Sequence, residues 1–275
     1  MRRAARRDRS GRKPVRLVAV LAAASGCAAL MLVPADGGAA GLTHRDVLTA
    51  NDKPTASRTG QDFTGVAAVG ALFSETSGKL GTHFCTASVV HSAHGDLAVT
   101  AAHCVTGNPG QIVFVPGYAN GKEPYGVWQV TRVYTDAAWQ SGQDPDHDVA
   151  FLRLSDASDG VPVEDITGAE ELGGSQPAPA LVQVIGYPDG GSQPVLCVNW
   201  TKSFSPTQLE FDCGGYTNGT SGGPFLADVS AASGQGMIIG VIGGYEQGGD
   251  RPEVSYSAAF GTPVTALYAA AEAGG

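Results

Sequence analysis

Short β-rich runs, each closed off by a cluster of Gly, Pro, Asn or Asp, limit most strongly the folds open to this chain. Eleven can be marked, at residues 66–73, 86–90, 97–100, 112–115, 127–134, 149–154, 181–185, 195–200, 209–211, 237–242 and 253–258. Runs of this length between turn residues build antiparallel sandwiches and barrels. A single helix is expected, at the end of the chain, where Thr262 can act as the cap, Pro263 suits the first helical position and residues 264–271 are good helix formers. Eleven strands and one terminal helix leave almost no room for parallel βαβ units, so the body reads as all-β. The roughly 210 residues from Asp62 onward suffice for one barrel-type domain or for two small halves sharing a cleft.

The first forty residues read as a leader rather than as part of that body. Residues 1–16 carry eight Arg or Lys and one Asp, residues 17–33 form an apolar run broken only by small residues, and Pro34-Ala35-Asp36-Gly37-Gly38-Ala39-Ala40 follows. A basic stretch, an apolar stretch and a small-residue exit are the parts of a secretory signal, with cleavage after Ala35 or Ala40. Two other readings compete. Seventeen residues stand at the lower edge of what spans a bilayer, which leaves an uncleaved anchor open. Ala24-Ser25-Gly26-Cys27 resembles a bacterial lipoprotein box, yet the apolar run continues past Cys27 to Val33, as the interior of a signal does. Neither Arg2-Arg3 nor Arg6-Arg7 leads into the residues of a twin-Arg export signal. Residues 41–62, polar and rich in turn formers, read as a pro-segment or flexible tail, which leaves 63–275 as the folded body.

Without residues 1–40 the chain keeps nine basic against 24 acidic groups, a formal net charge of −15. A surface this acidic argues against nucleic acid or anionic membrane as the partner and fits a soluble, exported protein. Membrane contact would come only through an uncleaved leader. Four cysteines remain, which permit three pairings, and an exported protein can keep disulfides. Cys85 with Cys104, and Cys197 with Cys213, are the expected pairs.

Three motifs carry chemistry, in the order His, Asp, Ser. His103 ends Val99-Thr100-Ala101-Ala102-His103-Cys104, behind two alanines small enough to let its imidazole turn into a cleft. A Cys85–Cys104 bridge would pin the loop that bears it and stabilise the fold by roughly 3 kcal/mol. Asp148 is the last of three closely spaced acids before an apolar strand, and so the one best placed to be buried; Asp144 and Asp146 are expected to stay solvated. His147 would point to the opposite side from Asp148 in extended backbone and reads as structural or exposed. Ser221 lies in Gly219-Thr220-Ser221-Gly222-Gly223-Pro224, where glycines allow a tight outward turn and bring N–H groups close to a reacting carbonyl. A serine hydroxyl needs a base to take its proton and a carboxylate to orient that base. The N–H groups of Gly219 and Ser221 are the candidates for an oxyanion hole.

Gly219-Thr220-Ser221-Gly222-Gly223 also satisfies the Gly-x-Ser-x-Gly elbow of α/β hydrolases. Those enzymes place the histidine after the serine, whereas His147 is the last histidine of this chain, and Pro224 would fall in the first turn of the required helix. An esterase of that fold is therefore excluded.

Together the three motifs, with His83-Phe84-Cys85-Thr86-Ala87-Ser88-Val89-Val90 before them, resemble the chymotrypsin-fold (trypsin-like) serine peptidases, and more narrowly their bacterial secreted members. The resemblance runs from about Val66 to the final helix. It implies two antiparallel six-stranded β-barrels, over 63–160 and 161–275, with the site between them. His103 and Asp148 would come from the first, Ser221 from the second. It also implies an endopeptidase without a cofactor, monomeric and extracellular, acting on protein or peptide substrate through an acyl-enzyme on Ser221.

Departures from the family pattern lie around the serine. Most members have Asp immediately before it, paired with a new N-terminal ammonium after zymogen cleavage; this chain has Thr220, whose hydroxyl can brace the loop instead. By the same pattern Gly215 would lie at the base of the primary pocket and Asn218 at its side, and Gly243-Gly244-Tyr245 would replace the usual Ser-Trp-Gly wall. No carboxylate at Gly215 argues against an Arg or Lys preference, and no histidine in residues 241–245 argues against Glu. A preference for apolar or small side chains is left. The alternative function is a catalytically silent binding protein on the same scaffold, motivated by Thr220 and the altered wall. His91 and His94 read as a turn rather than a metal site, so no metal is expected. Trp128, Trp139 and Trp200 read as core or rim residues.

Overall fold

A computed structural model describes residues 58–155 and 160–274. The leader with its cleavage sites and Cys27 lies outside the described residues, as do residues 41–57 of the expected tail. Two short strands come first, β1 (Arg58–Thr59) and β2 (Gln61–Asp62), followed by six strands that close a barrel. These are β3 (Val69–Thr76), β4 (Lys79–Val89), β5 (Leu97–Thr100), β6 (Ile112–Pro116), β7 (Trp128–Tyr134) and β8 (Ala150–Leu154), in the spatial order β3-β4-β5-β8-β7-β6. The second half holds β9 (Glu171–Leu172), β10 (Leu181–Gly186), β11 (Val195–Ser205), β12 (Gln208–Gly214), β13 (Pro224–Ala227), β14 (Met237–Val241) and β15 (Val254–Ala258). All eleven expected runs are strands, and the body is mostly β, as expected.

Local chemistry explains several boundaries. β4 starts seven residues before its apolar run because Ser77 and Gly78, both at positive φ, close a two-residue hairpin whose twist matches the paired strands. Two short helices escaped the reading that only the terminal helix would form. Helix α1 (Ala137–Gly142) is capped by Asp136, whose carboxylate accepts from Trp139 N–H at 2.9 Å, and α2 (Val163–Thr167) follows Pro162. Thr262 is not the cap of the terminal helix α3 (Thr262–Ala273); it is already helical, and the capping position falls to Gly261.

The second half differs in closure from the six-stranded barrel expected of it. Its strands form one nine-stranded sheet, enlarged by β1, β2 and β9 at its margins. β14 and β15 meet without a ladder: Val241 N–H donates to the Ser257 hydroxyl at 2.9 Å and Gly243 N–H to Tyr256 C=O at 2.9 Å. Gly240 makes this possible, since a Cβ there would stand 2.3 Å from Ser257 Oγ. Residues 58–62, assigned from sequence to the tail, add to the sheet: β1 pairs in parallel with β12 at Cys213 and Gly214, and β2 with β11. The backbone hydrogen bonds left open at those strands attract a polar segment whose side chains give no strand signal.

Apolar side chains form one cluster within each half and a third that spans both, from Val69, Val99 and Phe151 to Ile185, Leu226 and Val241. The disulfides are Cys85–Cys104 and Cys197–Cys213, as expected. Helix α3 crosses back to the first barrel, where Arg153 donates to Ala271 C=O at 2.6 Å and pairs with Asp96.

Glu170 ties the halves on another side. Its N–H donates to Val89 C=O, its C=O accepts from His91 N–H, and its buried carboxyl accepts from Gly236 N–H at 2.6 Å. Desolvation pushes its pKa from 4.5 up to about 7, against the lowering by Gly236. Between those values the folded state binds more protons than the unfolded one, so stability falls as pH rises through the interval, by at most about 3 kcal/mol. Thermal unfolding should show the wild-type midpoint dropping between pH 5 and 8 relative to Glu170→Gln; parallel curves for the two proteins would contradict this.

Candidate active site

Asp148 is buried where the two halves meet, and three N–H groups converge on it. His103 Nδ1 lies 2.7 Å from Oδ2, His103 N–H donates to Oδ1 at 2.9 Å, and Gly244 N–H donates to Oδ2 at 2.9 Å. The first two come from the 3-10 turn Ala102–Val105 that follows β5, the third from the segment after β14. A carboxylate restricted to accepting bonds fixes the tautomer of His103, placing the proton on Nδ1 and leaving Nε2 as the basic nitrogen. Gly243 allows the approach, since a Cβ there would stand 2.9 Å from Asp148 Oδ2 and 3.2 Å from Ala101 Cβ.

The turn that carries Asp148 is itself held. Asp144 caps it through Asp146 N–H, and His147 pairs with Asp136, which also caps α1. Asp146, expected to be solvated, accepts at 2.7 Å from Gln208 Nε2, which also donates to Pro145 C=O at 3.0 Å. Gln208 Oε1 in turn accepts from Tyr245 N–H at 3.3 Å. This buried glutamine at the start of β12 thus joins the aspartate turn to the segment that follows β14. No local pattern marks it in the sequence, because its partners stand 37 to 63 residues away.

Ser221 and His103 line the same cleft, of about 920 Å³, with no hydrogen bond between them. Glycine is required throughout the serine loop. A Cβ on Gly219 (φ +91°) would stand 2.6 Å from Asp189 N and from Tyr187 O, one on Gly222 (φ +81°) 2.2 Å from Thr86 O, and one on Gly223 2.2 Å from Ile185 O. Thr220 is buried, and its hydroxyl donates to Thr217 C=O at 2.7 Å, the brace expected in place of an ion pair. Asn218 C=O accepts from Asp189 N–H at 2.5 Å, and Thr220 C=O from Gly223 N–H at 2.9 Å. In a trans peptide the N–H points opposite to the C=O, so these bonds turn the N–H groups of Gly219 and Ser221 away from the loop's anchors. Among the described residues neither N–H has an acceptor. Such a pair can receive an oxyanion.

The pocket residues expected from sequence divide. Asn218 lines the cleft, together with Tyr216, Thr217, Ile242, Ser255 and the turn from Glu246 to Pro252. Gly215, Gly243, Gly244 and Tyr245 do not line it. Gly215 is backed by Gly60, while Gly243 and Gly244 face Asp148. Tyr245 neither fills nor closes the cleft: its ring packs outward on Phe204 at 4.8 Å and Tyr256 at 5.1 Å between centroids. Burial pushes the Tyr216 phenol well above its ordinary pKa, and its hydroxyl donates to Val184 C=O at 2.7 Å, so this wall stays neutral and fixed. His91 bonds Glu164 at 2.5 Å rather than sharing a site with His94. Trp128 and Trp139 are buried, and Trp200 is half-buried.

The model of the trypsin-like peptidase domain matches residues 81–233, a stretch that contains His103, Asp148 and Ser221. Among solved structures, the protease Anisep from Arthrobacter nicotinovorans is 26% identical, with 78% of this chain and 100% of that one covered and a TM-score of 0.65. The thermostable serine protease AL20 from an extremophilic microorganism is also 26% identical, with 76% and 98% covered and a TM-score of 0.64. A Glu endopeptidase shares the fold at 14% identity, with 78% and 97% covered and a TM-score of 0.60. No curated protein matches the sequence.

Gly219→Ala follows directly from the loop geometry. Its Cβ meets backbone on two sides, so the loop must move and the Gly219 N–H with it. Steady-state kinetics on a peptide substrate should show kcat reduced by about 100-fold or more; an unchanged kcat would mean that this amide takes no part.

Proposed function

The chain belongs to the trypsin-like peptidase family and is a serine endopeptidase; from that premise we propose that it is a secreted monomer that cleaves peptide bonds through an acyl-enzyme on Ser221. The observation that carries this reading is the buried Asp148 carboxylate on His103 Nδ1, 2.7 Å away, in a cleft that Ser221 also lines. His103 Nε2 takes the proton of Ser221 Oγ as the oxygen attacks the scissile carbonyl carbon. Negative charge then develops on the carbonyl oxygen, toward which the N–H groups of Gly219 and Ser221 are aimed. His103 passes its proton to the leaving amine, the C–N bond breaks, and the acyl group stays on Ser221. Water, deprotonated by the same imidazole, releases the acid in the second half of the cycle. Asp148 remains ionised throughout and stabilises the imidazolium.

Export through a cleaved leader agrees with the two disulfides and with the acidic body, and no helix among the described residues is long and apolar enough to cross a membrane. Substrates are proteins or peptides. On the cleft wall Tyr216, Thr217, Asn218 and Ile242 are uncharged and favour an apolar or small side chain next to the scissile bond, while Asp189, Glu246, Asp250 and Arg251 place charge elsewhere on the same lining. The competing binding-only reading draws on Thr220 and the altered wall; the Thr220 hydroxyl bond to Thr217 C=O and the packing of the Tyr245 ring on Phe204 and Tyr256 support the catalytic reading instead.

A fluorophosphonate probe, applied after removal of the leader and any pro-segment, should label the wild type on Ser221 and leave Ser221→Ala unlabelled. Asp148→Asn should label slowly and turn over peptide about 10⁴-fold more slowly, because its amide imposes the wrong tautomer on His103. Wild-type protein that neither labels nor cleaves a mixed peptide library would sink the proposal.

A further inference from the structure

Four successive carbonyls set the conformation of the serine loop, and each has a donor. Asn218 C=O accepts from Asp189 N–H and Thr220 C=O from Gly223 N–H, both within the second half. The other two are held from the first barrel by one residue. The Thr86 hydroxyl donates to Gly219 C=O at 3.0 Å, and Thr86 N–H donates to Ser221 C=O at 2.7 Å. Thr86 stands on β4, fully buried, next to the disulfide-bonded Cys85. Its carbonyl accepts from the Thr100 hydroxyl at 2.7 Å, which fixes it to β5 just ahead of the His103 turn.

The same hydroxyl has a second bond. Its oxygen accepts from Tyr187 N–H at 2.9 Å, and Tyr187 leads through Pro188 to Asp189, the donor to Asn218 C=O. One hydroxyl group thus reaches both peptides that flank the Gly219 Cα: directly at the Gly219 carbonyl, and through residues 187–189 at the Asn218 carbonyl. Both of its partners are main-chain groups over 100 residues distant, across the junction of the halves. Breaking these bonds inside the buried junction leaves a carbonyl and an N–H without partners, and rotation of the 218–219 peptide becomes the means to recover them.

We propose that Thr86 is a positioning residue for the oxyanion hole, a latch through which docking of the first barrel orients the Gly219 and Ser221 amides. It does not line the cleft and has no bond to the Ser221 hydroxyl; it acts through the main chain of the serine loop. The inference rests on the reading of Ser221 as nucleophile and adds a determinant outside the triad and the loop itself. A methyl in place of the hydroxyl keeps the shape and removes both bonds, whereas serine keeps both bonds and removes a methyl.

The experiment compares wild type, Thr86→Val and Thr86→Ser by kcat and KM per active site, counted with the fluorophosphonate. Inhibition by a peptidyl trifluoromethyl ketone, whose adduct on the serine carries an oxyanion, is measured alongside. Thr86→Val is expected to lose about 10- to 100-fold in kcat with KM within about threefold, and to bind the ketone more weakly by the same factor as kcat/KM. Thr86→Ser is expected to stay within about threefold of wild type on both readouts. A Thr86→Val protein whose titrated sites turn over at the wild-type rate, or whose loss lies wholly in the number of titratable sites, overturns the latch. If Thr86→Val does not fold, Thr86→Ala is held to the same expectation and the same refutation. Failure of the wild type to label defeats the peptidase reading instead, so the two failures are distinct.

Discussion

A carboxylate with no exposed surface, satisfied by N–H groups from the two halves of the body, is the constraint on which the rest of the structure depends. Asp148 accepts from the backbone and ring of His103 on one side and from Gly244 on the other. An ionised group taken out of water without such partners costs several kcal/mol. The halves therefore cannot slide relative to one another at this point without exposing or orphaning the charge, and the bonds that relieve its burial are those that aim His103 into the cleft. Stability of the junction and orientation of the base are one requirement.

Close backbone approach serves the same end in the serine loop. Gly219, Gly222 and Gly223 each lie where a Cβ would strike main-chain atoms of another segment. Their absence of side chains lets 219–223 pack against β4, the start of the His103 turn and the end of β10. Glycine costs backbone entropy on folding, so a run of this kind is stable only when surrounding bonds determine each peptide. Thr86, Asp189, Gly223 and Thr220 provide them here. The neutral Thr220 is part of that set: a hydroxyl donating to Thr217 needs no counter-ion, and the loop can reach its geometry without a newly created terminal ammonium.

The junction also carries a titratable element away from the cleft. Glu170 connects the edge of the first barrel to the segment before β14, and a buried carboxyl held by one amide favours its neutral form. Polar groups of this kind stabilise the pairing of the halves only in one protonation state, while the apolar cluster that spans both halves does so at any pH. The two contributions divide the junction into a part that responds to solution conditions and a part that does not.

Much of this was legible in the residues themselves. β-rich composition and turn chemistry marked eleven of the strands, and residue type and order marked His103, Asp148 and Ser221, because both kinds of signal are local. Signals failed where the decisive partner is remote. β13 follows directly on the serine loop with a proline at its head, β1 and β2 are strands only because β12 and β11 offer open edges, and α1 is a helix of six residues that needed its Asp136 cap. Tyr245 packs outward on Phe204 and Tyr256, which stand on β11 and β15. Thr86, although it stands in the stretch His83–Val90, and Gln208 carry no sequence signal of these contacts, since their partners across the junction reach them only after the two halves have docked. Sequence alone determined the element types and the chemical identities of the site; the tertiary structure decided which peptides point where, because hydrogen bonds across a junction depend on positions in space that no local periodicity encodes.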